Sequence, residues 1–203
     1  MFYITEPDER PDGWVNLSDA SQWIRWLNHN IPDDLDNEVR RRLSSNLRHL
    51  IVGLELKTAL ILPHAWRNQN QRAVLFESYF QNLILEFCVA TFSVVEGLGA
   101  AHWLSQSGYD GADGRRIGRS DWRPALCDVY DQTGEHGLND AIERTLSVRD
   151  KLHQDKIGAR MDIDWHALSY EAAFVPASRV ICTLLRKGAE LVPERSNLQI
   201  ELV

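Results

Sequence analysis

Arg149 and His153 are the residues whose types and spacing most readily support chemistry in this chain. Four positions apart on a helix, they project from one face and can converge on a single small anion. The guanidinium supplies a permanent charge and a fork of donors that matches phosphate oxygens. The imidazole gives or takes a proton near neutral pH. The pair suits metal-free cleavage of an RNA phosphodiester: the imidazole moves the proton of the 2′-hydroxyl or the leaving 5′-oxygen, and the guanidinium offsets charge developing on a phosphorus-bound oxygen. Asp150, directly after the arginine, can orient either partner. One imidazole does not readily serve as both acid and base. The mechanism therefore favours two chains that each lend a pair to a shared site, and so a symmetric homodimer. The competing reading is structural, with Arg149 pairing with Asp150, Asp155 or Glu143 in a solvated salt-bridge array.

A second concentration of charge lies in the segment Gly108 to Pro124, where Arg115, Arg116, Arg119 and Arg123 fall within a glycine-rich stretch. Flexible backbone with several guanidiniums can follow an RNA phosphate chain, and Tyr109 or Trp122 could stack on a base. The alternative is a solvated loop whose arginines pair with Asp110, Asp113 and Asp121. The remaining histidines (His29, His49, His64, His102, His136, His166) show no helix-spaced pairing with one another and no HExxH arrangement, so no metal site is expected. Glu77, Glu86 and Glu96 lack the Glu-x-x-His partners of di-metal bundles. No phosphate-cradling glycine motif, GxSxG elbow or Cys with an evident His partner is present, and no cofactor is expected.

The elements that must position these groups are helices. No sustained alternation of period two and no tight Asn-Gly or Asp-Gly hairpin occurs, whereas apolar spacings of three and four recur throughout. A short helix capped by Ser18 or Asp19 carries Trp23, Ile24, Trp26 and Leu27 and is broken at Ile31-Pro32. A long amphipathic helix spans about 33 to 62, with Pro63 as its stop. A second runs from near Gln71 to Ser105 and turns apolar on most faces after Leu83, as a central helix does. Gly97 and Gly99 on it permit close packing or a bend. After the loop, a short helix follows Pro124 and ends at Gly134. The next, from about Asn139 to Ile157, faces the core with Leu138, Ile142, Thr145, Val148 and Leu152, and carries Arg149 and His153 along one edge. A last helix capped by Asp162 or Asp164 carries Trp165, Leu168, Ala172, Val175, Val180, Ile181, Leu184 and Leu185, with Pro176 as a kink. The tail after Pro193 is loose or makes an edge contact. The expected architecture is all-α, an irregular multi-helix bundle forming one domain over 1–203, with an N-terminal helical extension over 1–30.

Composition narrows the class further. With 203 residues, 44% apolar and seven Trp, the chain can bury a sizeable core. Its formal net charge of −7 excludes a general basic footprint, so any nucleic-acid contact must be local. Cys88, Cys127 and Cys182 are an odd, widely spaced set that reads as free thiols in a reducing compartment. The N-terminus lacks the basic start, apolar core and cleavage site of a secretory signal. Leu83 to Leu104 is long enough to test as a membrane span, but each carboxylate at mid-membrane, Glu86 or Glu96, would cost roughly 2.5 to 3.5 kcal/mol. A buried helix of a soluble, cytoplasmic protein is the expectation.

Residues 147 to 155, Ser-Val-Arg-Asp-Lys-Leu-His-Gln-Asp, resemble the signature helix of the HEPN superfamily: an Arg, a polar residue directly after it and a downstream His on a late helix of an all-α bundle. An apolar upstream helix bearing Glu96 as an apparent buried glutamate, a short connection after the His and a closing amphipathic helix fit the same pattern, over roughly residues 70 to 190. Fewer residues separate Arg149 from His153 than in the family's usual motif. The resemblance implies an Arg-plus-His, metal-independent endoribonuclease or a non-catalytic RNA-binding relative, often dimeric and often tied to toxin-antitoxin, phage-defence or stress systems. A helical module for dimerisation or for docking a partner protein is the alternative from a different class.

Overall fold

The computed structural model of the chain describes residues 17–69, 77–109, 115–150, 165 and 168–198. Among these residues there are six α-helices and no strand: α1 (Trp23–Asn30), α2 (Asn37–Gln69), α3 (Glu77–Ser107), α4 (Arg119–Tyr130), α5 (Leu138–Asp150) and α6 (Val175–Arg186). They pack together as an all-α multi-helix bundle. A π-helical turn, Tyr170–Phe174, precedes α6, and a 3-10 turn, Ala189–Leu191, follows it.

α3 is the hub. It touches α2, α4, α5, α6 and the π-helical turn, and its apolar sequence follows from that demand on several faces at once. Ile84, Phe87, Cys88, Phe92, Val95 and Leu98 are all buried on it. A Cβ built on Gly99 would stand 2.7 Å from the Trp122 carbonyl oxygen and 2.9 Å from its ring, so the glycine is what lets α3 and α4 approach so closely. Gly97 does the same more mildly against Leu43 and Leu47 of α2. The two glycines thus serve packing. α3 also has the length and apolar character of a membrane span, yet most of that stretch is buried inside the bundle.

Several boundaries differ from expectation for identifiable reasons. α2 starts at Asn37 because Asp36, just before it, accepts from the Glu38 and Val39 amides at 2.9 and 3.3 Å. It then runs past Pro63 to Gln69. A proline removes one backbone hydrogen bond, and a long packed helix can outlast that loss. α4 likewise begins before its proline, at Arg119, because Asp121 reaches back to the Gly118 amide at 2.9 Å and sets the first turn. The Gly/Arg-rich loop is therefore shorter at its far end than the expected 108–124. α6 is shorter than expected: Ser169 caps the π-helical turn, accepting from the Ala172 amide at 3.1 Å, and Pro176 sits in the first turn of α6, where its missing donor costs little. Asp162 and Asp164 lie outside the described residues. Trp165, expected on the core face, is 40% exposed.

The N-terminal helix belongs to the common core. Trp23, Trp26 and Leu27 are fully buried there. Neither expected cap acts on the helix itself: Asp19 accepts from the Ser21 amide at 2.7 Å in the preceding turn, and Ser18 donates to Glu55 of α2 at 2.8 Å. Trp23 Nε1 donates to the other Glu55 oxygen at 3.2 Å, which pins α1 to α2 through a fully buried carboxylate. At the other end, Leu198 in the tail is buried and its carbonyl accepts from the Cys182 thiol at 3.5 Å, so the tail makes a core contact.

Candidate functional site

The site grows from the way α5 is held. Asp131, buried at the end of α4, accepts from the His136 and Leu138 amides at 3.0 and 2.9 Å and so caps the start of α5. Gly134 and Gly137, with φ of 72° and 62°, supply the left-handed backbone this sharp return requires. From there Leu138, Ala141, Ile142, Thr145, Leu146 and Val148 bury one side of α5. That leaves Arg149 at the margin of the core.

Arg149 is only 26% exposed, with its guanidinium carbon 4.8 Å from the centre of the Phe92 ring. Such stacking is worth about 0.5 to 2 kcal/mol and fixes the plane of the fork. Phe92 is itself held edge-on against Trp122 of α4, with ring centres 5.9 Å apart. Three helices meet at this ring.

Asp150 lies between two arginines. It accepts from Arg149 Nη1 at 3.1 Å, and Arg119 Nη2, from the first residue of α4, reaches both of its oxygens at 2.7 and 2.8 Å. Partial burial pushes the Asp150 carboxyl up, but the hydrogen bonds and charges of Arg119 and Arg149 outweigh that and hold it below the usual carboxylate range. Asp150 is thus a direct hydrogen-bond partner of Arg149. His153, the proposed proton carrier, and Leu152 lie outside the described residues, as does Asp155.

The loop arginines are distributed among acids of the chain. Arg115 bonds Asp121 at 2.7 Å and lies 5.5 Å from the Trp103 ring centre. Arg123 is held by Asn139 at 2.7 Å and by Glu143 of α5. Arg116 is exposed. Three of the four sequence-selected arginines therefore brace α4 and its approach, two of them against α5. Asp121, held by the Gly118 amide first and by Arg115 second, stays below the usual carboxylate range. Of the residues expected to stack on a base, Trp122 is buried in the core, while Tyr109 accepts from the Arg115 amide through its hydroxyl at 3.0 Å.

Sequence reading missed Phe92, which lies in a run of apolar residues with nothing to mark it, and the joining of Arg119 to Asp150 across 31 positions. It also took Glu96 for the buried glutamate. Glu96 is half-buried, and the fully buried one is Glu55, whose Ser18 and Trp23 partners are remote in sequence. No group of three His, Cys, Asp or Glu side chains that could hold a metal occurs among the described residues. No family model, curated protein or solved structure matches this chain.

Proposed function

We propose that this chain is a HEPN-like, metal-independent endoribonuclease or RNA-binding protein, soluble and cytoplasmic, that works as a homodimer with Arg149 and His153 at its site. The observation that carries the reading is the Asp150 carboxylate bound between Arg149 and Arg119. Two guanidiniums from different helices already hold a planar pair of anionic oxygens, and a phosphodiester presents two such oxygens at similar spacing. RNA phosphate would displace Asp150 from this clamp, and Asp150 would then be free to orient the neighbouring imidazole. Arg149 offsets charge on the phosphoryl oxygen, and His153 moves the proton, with a second chain lending the complementary imidazole. A role in toxin-antitoxin, phage-defence or stress systems belongs to the same reading.

The test is incubation of folded wild type, Arg149→Ala and His153→Ala with single-stranded and structured RNAs in EDTA. Cleavage or retention of RNA by the wild type alone supports the reading. RNA handled equally by all three, or by none, defeats it.

A second reading is favoured by the pairing of Arg115, Arg119 and Arg123 with acids of the chain itself. In it the chain is a non-catalytic helical module for dimerisation or for docking a partner protein. Arg149→Ala with His153→Ala would then leave dimer state and partner binding intact and change only stability.

A further inference from the structure

A cavity of about 600 Å³ opens between α1 and the first three turns of α2, on a different part of the molecule from Arg149. Its α2 wall follows one helical face: Asn37, Arg40, Arg41, Ser44 and Arg48 recur at spacings of three and four. Ile24 and Asn28 of α1 form the opposite side. The charged groups of the lining are three guanidiniums against one carboxylate, Asp33, in a chain of net charge −7.

The way these cations are partnered matters more than their number. Arg41 is engaged by Glu38 through two hydrogen bonds, at 3.0 and 2.9 Å. Arg40 bonds Asp33 at 2.6 Å through one terminal nitrogen, while its Nε is buried with no hydrogen-bond partner among the described residues. Leaving such a donor unmet is costly. Asp33 itself is 89% exposed, so it can yield to a competing anion without loss of packing. Arg48 is half-buried and pairs with no carboxylate among the described residues. Ser44 stands midway between the two arginines, one turn from each, and Ser45 lies beside it toward Arg48, both with hydroxyls that can donate.

We propose that this cavity binds a phosphate group, with Arg40 and Arg48 as its charged donors and Ser44 and Ser45 supplying hydroxyls. Forked guanidiniums spaced two turns apart on one face, with hydroxyls between them, offer more donors than one carboxylate can use and suit an oxyanion with several acceptor oxygens and more than one charge, such as phosphate, over an apolar ligand. The volume admits a nucleoside monophosphate as well as the free ion, and the 5′-phosphate end of a strand presents the same chemistry. The site stands apart from the RNA reading of Arg149 and holds or fails independently of it.

The test is calorimetric titration of the full chain with inorganic phosphate, AMP, and a short oligoribonucleotide with and without a 5′-phosphate. Wild type is compared with Arg48→Glu, Arg48→Gln and Arg25→Glu, the last matching the charge change of Arg48→Glu at an exposed α1 position outside the cavity. Saturable binding of phosphate or AMP at one site per chain is expected. It should weaken by roughly tenfold or more in both Arg48 variants, the loss of one or two charge-assisted hydrogen bonds, and change little in Arg25→Glu. Tighter binding of the 5′-phosphorylated strand than of AMP makes a strand end the source, and the reverse makes it a small molecule. No saturable binding by the wild type overturns the site. So does equal weakening by the Arg25 and Arg48 variants, or an oligoribonucleotide that binds regardless of its 5′-phosphate while neither small probe binds.

Discussion

The α4–α5 face and the α1–α2 face carry comparable numbers of arginines and use them differently. Across α4 and α5, Arg119, Arg123 and Arg149 each meet an acid of the chain, and the Arg119 and Arg123 pairs join the two helices. Beside α1, Arg48 meets no carboxylate among the described residues, and Arg40 satisfies only part of its fork. Arginine density alone therefore separates nothing. What distinguishes a brace from a receptor is whether the donors are already met, because an exposed pair contributes little to stability while an unmet buried donor favours any anion that can reach it.

Replacing Arg149 tests the α4–α5 face most severely. If its guanidinium stabilises the phosphoryl transition state, Arg149→Ala lowers cleavage by about 10² to 10³-fold, the usual cost of losing one well-placed donor, while the circular dichroism spectrum is kept. A drop in melting temperature with unchanged RNA handling would make the face a brace and nothing more.

Gly99→Ala tests the packing beneath that face. The new methyl meets backbone that cannot move aside, so unfolding free energy in urea should fall by about 2 to 3 kcal/mol, and Arg119 should lose its register with Asp150. A loss below about 0.5 kcal/mol would mean that α3 and α4 slide freely and that the clamp needs no fixed geometry.

His102 belongs to α3, the helix that packs against both α2 and α4. It is buried, edge-on to Tyr130 with ring centres 5.6 Å apart, and its Nε2 has no partner among the described residues. Burial, with Lys187 acting in the same direction, pushes its pKa from 6.5 down to about 4. The neutral ring is what the fold accepts. The stability it contributes is present above about 6.5 and is lost as pH falls toward 4. Between pH 7 and pH 5 this amounts to about 2 kcal/mol, readable in denaturant midpoints and flattened in His102→Gln. An equally steep loss in the variant would trace the acid sensitivity to other groups.

Asp150→Asn gives the smallest effect and the sharpest comparison. Removing the internal anion frees Arg119 and Arg149, so affinity for RNA should rise severalfold and its salt dependence should steepen, at a stability cost of about 1 kcal/mol or less. Weaker RNA binding in this variant would mean that the two arginines need Asp150 to stay in place.

Much of the bundle is legible in the sequence because helix periodicity is a local property. The apolar run of α3, the stripe of α5 and the turn at Gly134 all follow from residues within a few positions of one another. What escapes is non-local or a matter of degree. Pro63 reads as a stop and Pro124 as the point after which a helix starts, because one lost hydrogen bond looks decisive in isolation, whereas packing along α2 and the Asp121 cap of α4 outweigh it. Glu55 reads as one more polar position on α2, since its partners lie 37 and 32 residues away. Arg119 and Arg149 are visible as charged residues, but that they share one carboxylate depends on how α4 crosses α3 at Gly99. Whether an arginine is met or unmet, the property that separates the two faces, is fixed by tertiary placement and leaves no mark in spacing.

Cys88 carries a consequence of a different kind. Its thiol lies fully buried on α3, donating to the Ala173 carbonyl at 3.6 Å, and burial pushes its pKa up to about 12. Cys127 and Cys182 are partly accessible. An alkylating reagent should therefore label two thiols promptly and the third only when α3 parts from the π-helical turn. That makes the third label a natural stopwatch for how often the centre of the bundle opens, one that needs no introduced probe.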